Sequence, residues 1–418
     1  MAVGRGAEPA TGTRRIARRL GRGAAAAAGG LLAGCGLVAG WLAASPYLPR
    51  VPYLGVGTLV TPQYAGPLAV GAAGLAGAAG LVALAGARRL GLAAGALLVA
   101  STVGFATLFG QQVSAARDLG VDVDPLAALR PAGLDEGAAP DETVAYDSGP
   151  DGELLMDVYL PEHRPAAGAP VLLYIHGGGW DSMDRSSQAR NMRWAAEQGF
   201  VALAPDYTLA THERPTWRLA AGQVSCALSW VTEHAAELGG IPGRLFTYSE
   251  SAGGALAMAA SYDAASGRTR PDCGGEPAVP RAVYADSPAI DPRAIATNPD
   301  PAAGPGSRET VEKYLGGPPE EHPDRANAVT VANLVDDNSQ PTFLARSDAD
   351  RLVPPASYPA FREAMAAHGR ELTEIVRPRA DHASALSFHG VWNQVLRETM
   401  LRFFADHGAF GPGAGPEG

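Results

Sequence analysis

The chain has 418 residues and a formal net charge of −10, with 33 Lys and Arg against 43 Asp and Glu. Residues 1–116 hold nine Arg and the single acid Glu8, a net +8, which leaves −18 on the remainder. That length allows more than one folded unit, and a remainder so acidic repels phosphate and excludes nucleic acid as a partner.

Residues 1–23 read as a basic, disordered lead carrying Arg14, Arg15, Arg18, Arg19 and Arg22. Three uncharged stretches follow, at 24–44, 67–87 and 91–110. Each is about 20 residues, the length a helix needs to cross ~30 Å of hydrocarbon. They are rich in Ala and Gly, which suits close helix contacts. The arginine-rich lead and the Arg88-Arg89 pair belong on the cytoplasmic side. The loop 45–66 and everything after the third helix then lie outside. The expectation is a three-helix transmembrane region at 24–110, a multi-pass cell-membrane protein and an extracytoplasmic C-terminal domain. Two other readings stay open. The first stretch resembles a cleaved signal peptide, and Leu32-Ala33-Gly34-Cys35 a lipoprotein cleavage box. The apolar run continues past Cys35 through Leu37, Val38, Trp41 and Leu42, which argues against both.

Residues 111–141 read as a polar linker with a short helical turn near 126–129. From 142 to 410 strands and helices alternate. Strands are predicted at 154–160, 171–175, 201–204, 245–248, 281–285, 341–345 and 372–376. Helices are predicted at 192–198, 219–237, 356–367 and 391–404. This alternation implies an α/β fold, a mostly parallel sheet with helices on both faces. Residues 288–340 interrupt the rhythm with Pro, Asn and Asp and one amphipathic piece at 309–315. An insertion there reads as a lid or substrate wall, or else as a solvated excursion. Residues 411–418 read as a disordered tail. Cys226 and Cys273 read as two free thiols, although an outward-facing domain permits a disulfide between them.

The chemistry is concentrated in four short segments. Tyr248-Ser249-Glu250-Ser251-Ala252-Gly253-Gly254 sits where the strand containing Leu245 and Phe246 runs into a helix of small residues. A serine at such a corner is a nucleophile elbow, though Ser251 alone would also suit a helix N-cap. His176-Gly177-Gly178-Gly179-Trp180 follows the apolar run at 171–175. Three glycines leave backbone N–H groups unobstructed, as an oxyanion hole requires, and their ordering cost argues against a plain turn. The N–H of Ala252 would be a further donor. Downstream come Asp348-Ala349-Asp350-Arg351-Leu352-Val353-Pro354 and Ala380-Asp381-His382-Ala383, each after a strand.

Taken in this order, these segments resemble the α/β-hydrolase superfamily. They look most like its esterase and lipase branch with an HGGG loop, the hormone-sensitive-lipase-like carboxylesterases. The resemblance extends from about 141 to 405 and includes Asp206-Tyr207-Thr208-Leu209. It implies Ser251 as nucleophile, His382 as general base and acid, and Asp350 as the carboxylate orienting His382. Asp348 competes with Asp350, but the D-x-x-V-P spacing favours Asp350. His389 is the rival imidazole, and Asp381 reads as solvated. Gly177, Gly178, Gly179 and Ala252 are the expected oxyanion donors, and His176 is the brace of their loop. Trp180 and Trp217 line the substrate pocket or pack at the domain edge. The chain departs from the family pattern at Ser249, where a glycine is usual, and at Arg346-Ser347, where many relatives have His-Gly. The implied activity is hydrolysis of a small-molecule, lipid or glycan ester, with no metal and no organic cofactor. A serine peptidase or amidase on the same fold and a non-catalytic sensor are the alternatives.

Overall fold

In a computed structural model the described residues form eight strands, most of them apolar runs bounded by turns. They are β1 (Glu142–Gly149), β2 (Gly152–Tyr159), β3 (Ala169–Ile175), β4 (Val201–Pro205), β5 (Gly240–Glu250), β6 (Ala282–Asp286), β7 (Thr342–Ser347) and β8 (Leu372–Arg377). The structure describes residues 11–49, 51–130, 138–163, 168–268 and 271–410. The first ten residues of the expected lead and the expected tail at 411–418 lie outside that set. The strands form one sheet in the order β1-β2-β4-β3-β5-β6-β7-β8. β2 pairs antiparallel with β1 and β4, and all later pairs are parallel.

The helices are α1 (Thr11–Ala44), α2 (Ala65–Leu84), α3 (Arg88–Asp118), α4 (Ala189–Glu197), α5 (Leu219–His234), α6 (Ser251–Ser266), α7 (Pro292–Ala296), α8 (Gly304–Leu315), α9 (Pro323–Val329), α10 (Pro359–Ala367) and α11 (Val391–Asp406). Strand β3 shows why they sit on both faces. All seven of its residues are buried, as a doubly covered strand requires. Val171, Leu173 and Ile175 enter one core with Leu228 of α5, Leu256 of α6 and Val311 of α8. Leu172 and Tyr174 enter the other with Met192 of α4, Trp392 of α11 and Ala116 of α3.

Three helical segments, Arg19–Tyr47, Ala65–Leu84 and Arg88–Asp118, are long and apolar enough to cross a membrane. Leu31, Leu37, Leu81, Leu92 and Val103 are exposed on them, so these helices lack the polar outer face of a water-facing helix.

Strand β1 is not among the predicted strands, and of the boundaries two differ most from expectation. Helix α1 begins at Thr11, inside the lead expected to be disordered. No proline interrupts that stretch, and its Arg, Ala and Leu are good helix formers. Helix α3 continues to Asp118, into the expected linker, and buries Val113 and Ala116. Val121, Val123, Ala128 and Ala138 are buried as well. These described residues of the segment are therefore packed into the second core rather than strung out as a polar tether.

Cys226 and Cys273 form a disulfide, with Cα atoms 5.9 Å apart, and are not the two free thiols expected. The bridge ties α5 to the loop after α6, which adjacent packing brings together across 47 residues of sequence. Closing a loop of that length removes about 4 kcal/mol of unfolded-chain entropy in the simplest treatment. Cys273→Ser should lower the calorimetric melting temperature accordingly. Identical melting of variant and wild type would show that the bridge does not form.

Candidate active site

Strand β5 ends at Glu250 and helix α6 begins at the next residue, Ser251. The turn is taken in the left-handed region, with φ of +49° at Ser251, a conformation that costs a non-glycine residue energy. Ser249, where the resembled motif has glycine, is fully buried, and its hydroxyl is 3.3 Å from the Tyr284 carbonyl. The side chain is small enough for the crowded site.

The Ser251 hydroxyl and His382 Nε2 are 2.8 Å apart. His382 Nδ1 is 2.8 Å from Asp350 Oδ2. A carboxylate only accepts, so Nδ1 carries the proton and Nε2 is left to accept from Ser251. The other Asp350 oxygen accepts from the N–H groups of Leu352 and Val353, at 3.0 and 2.8 Å. Asp348 is exposed and makes no side-chain contact with His382. Burial pulls the His382 pKa down, but the Asp350 carboxylate outweighs it and the net direction is up from 6.5.

The glycine loop stands against this line. Gly178 and Gly179 have φ of +93° and +60°. A Cβ on Gly178 would fall 2.1 Å from the Ser182 carbonyl oxygen, so no other residue fits. Among the described residues, neither N–H of this glycine pair is spent on a protein acceptor. Gly177 packs on Ser251, where a Cβ would come within 3.2 Å of the Ser251 Cβ. Ala252, the first residue after Ser251, is fully buried in the first turn of α6. His176 is also buried. Its ring stacks on Tyr207 at 4.1 Å, and its Nδ1 lies 2.9 Å from the Gly177 carbonyl. Burial holds its pKa down at about 4, so it stays neutral. The Tyr207 hydroxyl lies 3.0 Å from the carbonyls of both His176 and Gly177. Tyr207 thus braces the loop beside His176, a role the D-Y-x-L match did not reveal.

Ser251, His382 and the three glycines Gly177, Gly178 and Gly179 line a cavity of about 580 Å³. Trp180 is one wall, stacked on Tyr314 of α8 at 4.3 Å. Trp217 is not: its ring packs on the sheet core and under the Arg218 guanidinium, outside the cavity. The first half of the 288–340 segment, through Ile295, Ala303 and Thr310, supplies another wall. A third wall, Val56 and Leu59, comes from the loop between α1 and α2.

Buried ionic groups support the site from behind, and none was identified from the sequence. Arg377, 1% exposed, forks onto the Asp286 carboxylate, with Nη1 at 3.0 Å from Oδ2, and also reaches Ser287 Oγ at 2.9 Å. Glu250 accepts from the Tyr174 hydroxyl at 2.9 Å and from Gln188 Nε2 at 2.7 Å. Burial raises its pKa despite these donors. Asp381 is fully buried, not solvated, and accepts from the N–H groups of Arg351 and His382 at 2.9 and 2.8 Å. Burial and the nearby Asp350 charge push its pKa up to about 6. These pairings are long in sequence and follow no short motif. The one local signal was the position of Asp286, Arg377 and Asp381 at or just past strand ends.

The BD-FAE family profile matches residues 156–365, half of the chain, including Ser251 and Asp350. The chain belongs to the BD-FAE family. This BD-FAE chain is 28% identical over 247 residues to the esterase LipQ of Mycobacterium tuberculosis, covering 57% of the chain and 56% of LipQ. It is 29% identical over 227 residues to the carboxylesterase NlhH of the same species, covering 52% of the chain and 62% of NlhH. It therefore spans little more than half the length of these curated relatives. The solved structure of esterase 2 from Thermogutta terrifontis aligns with a TM-score of 0.53 at 22% identity, over 66% of this chain and 96% of that one. The shared architecture, with its mostly parallel sheet of eight strands, is the α/β-hydrolase fold.

Breaking a buried pair while leaving one charge behind costs about 3–5 kcal/mol. Asp286→Asn in the BD-FAE chain should therefore lower unfolding stability by that amount in a denaturant titration. A loss below about 1 kcal/mol, the range of an exposed pair, would show that Arg377 is solvated.

Proposed function

We propose that this protein is a membrane-anchored serine hydrolase that cleaves carboxylic esters. The observation that carries the reading is the line from Asp350 through His382 to Ser251, with 2.8 Å at each step. It ends in a cavity edged by unspent glycine N–H groups. The likeness to the curated esterases supports the same chemistry.

Ser251 Oγ attacks the ester carbonyl carbon and passes its proton to His382 Nε2. Asp350 holds the imidazole in the accepting tautomer and stabilises the imidazolium that results. Charge collects on the carbonyl oxygen, where the N–H groups of Gly178, Gly179 and Ala252 donate. As the tetrahedral intermediate collapses, the C–O bond to the alcohol breaks and His382 returns the proton to the departing alkoxide. Water then attacks the acyl-enzyme by the same route, His382 taking its proton; the bond from the acyl carbon to Ser251 Oγ breaks, His382 returns the proton to that oxygen, and the acid leaves. The left-handed turn at Ser251 keeps the hydroxyl clear of the sheet, so little reorganisation is needed.

Helices α1, α2 and α3 anchor the chain as three spans. The basic lead and Arg88-Arg89 stay in the cytoplasm, and the catalytic domain lies outside. The Cys226–Cys273 bridge fits an oxidising outer compartment.

Ser251→Ala in the full chain should reduce kcat for p-nitrophenyl butyrate by about 10⁴-fold or more, with folding unchanged by circular dichroism. Retention of more than about a tenth of the activity would rule Ser251 out as the nucleophile. The pH profile has a definite sign. Protonated His382 cannot accept from Ser251, so kcat/KM falls as pH drops through its pKa, with a midpoint above 6.5. Asp350→Asn removes the charge that raises that pKa and should move the acid limb to lower pH in a stopped-flow profile. An acid limb that stays in place would disconnect Asp350 from His382.

A further inference from the structure

The loop between α1 and α2, residues 45–64, packs against the two segments that carry Asp350 and His382. The Thr58 hydroxyl hydrogen-bonds the Asp381 carboxylate. The second Asp381 oxygen takes the N–H groups of Arg351 and His382. The Arg351 guanidinium, 4% exposed, donates to the Pro49 carbonyl and to Asp300 at 2.6 Å. Gly55 lies so close that a Cβ would fall 1.8 Å from Arg351 Nη2. The residue after Asp350 and the residue before His382 are thus held by one loop that lies outside the sheet.

The same loop has two apolar faces. Val56 and Leu59, on the turn Leu54–Leu59, face the catalytic cavity. Tyr47, Tyr53, Leu54 and Val60 are exposed, and Trp41 at the end of α1 donates from Nε1 to the Leu54 carbonyl at 2.8 Å. Aromatic and aliphatic side chains at the end of a span mark the boundary between hydrocarbon and water. The cavity wall and the bilayer surface therefore share a single turn of chain. A substrate whose tail already rests in that surface has the shorter path to Ser251.

We propose that the 45–64 loop is a specificity-determining wall of the active site, through Val56 and Leu59, and that it selects esters bearing a hydrocarbon chain partitioned into the membrane surface over short soluble esters. This rests on the esterase reading of Ser251 and on the membrane reading of α1–α3.

The test uses the full chain in phosphatidylcholine nanodiscs, with p-nitrophenyl acetate and p-nitrophenyl decanoate as substrates. The wild type should favour decanoate in kcat/KM by about tenfold or more. The double variant V56S/L59S should lower that ratio at least about fivefold, and Leu59→Phe, which narrows the cavity but keeps it apolar, should shift the preference toward acetate by about as much. A wild type that prefers acetate, or a ratio that stays within about twofold in both variants, overturns the proposal. A binding arm reads the wall without turnover. In Ser251→Ala, titration with decanamide should give an affinity that drops about fivefold when V56S/L59S is added. If that drop occurs while the wild type hydrolyses neither ester, the wall stands and the esterase reading falls. If affinity is indifferent to the loop, the wall falls.

Discussion

A strand that becomes a helix within one residue sets the geometry of everything around it. Between Glu250 and Ser251 there is no connecting segment. The first turn of α6 is pressed so hard against the glycine loop that a Cβ on Gly253 would lie 2.2 Å from the His176 carbonyl oxygen. That contact brings the start of α6 beside Gly177. The register does the rest. Ser249 lies opposite Ile175 on one side and Ala285 on the other, so β3, β5 and β6 end at the same level. Their loops converge without any long excursion. The strain at Ser251, of order 1–3 kcal/mol for such a backbone, is offset by the two cores that clamp the sheet.

Behind that corner the molecule buries charge, and each charge is answered. Asp286 has Arg377, Glu250 has Tyr174 and Gln188, and Asp381 has the backbone of its own neighbours. A carboxylate in such surroundings is costly unless its acceptor sites are filled, and once filled it fixes whatever fills it. Asp381 is the clearest case. By accepting the N–H of His382 it sets the backbone from which the imidazole projects, while Asp350 sets the ring. Position and orientation of one side chain are thus held by two separate acids.

What could be read from the chain beforehand was whatever is written locally. Burial on both faces is written in consecutive residues, so β3 and β4 were legible from apolar runs alone. The convergence of Ser251, Asp350 and His382 was legible because each follows a strand, and parallel strands deliver their ends to one edge. Long-range pairing has no such trace. Nothing near Cys226 announces Cys273, and nothing in Arg377 names Asp286. Trp217 stayed open between the cavity and the domain edge because an aromatic near the site packs inward or lines the cavity according to a backbone direction that composition does not encode. The linker was misread for a related reason. Its prolines and charges look solvated, yet Val113, Ala116, Val121 and Val123 are spaced to meet the face of the sheet covered by α11.

That last feature bears on mechanics. Helix α3 passes without a break from its apolar stretch to residues buried beside Trp392 and Val395. A rigid rod sunk at one end into a protein core leaves no leash and no swivel. The sheet domain cannot swing about the three apolar helices as a ball on a string does. The mouth of the cavity therefore keeps a single distance and a single heading relative to those helices, and anything that enters it meets both at a fixed angle.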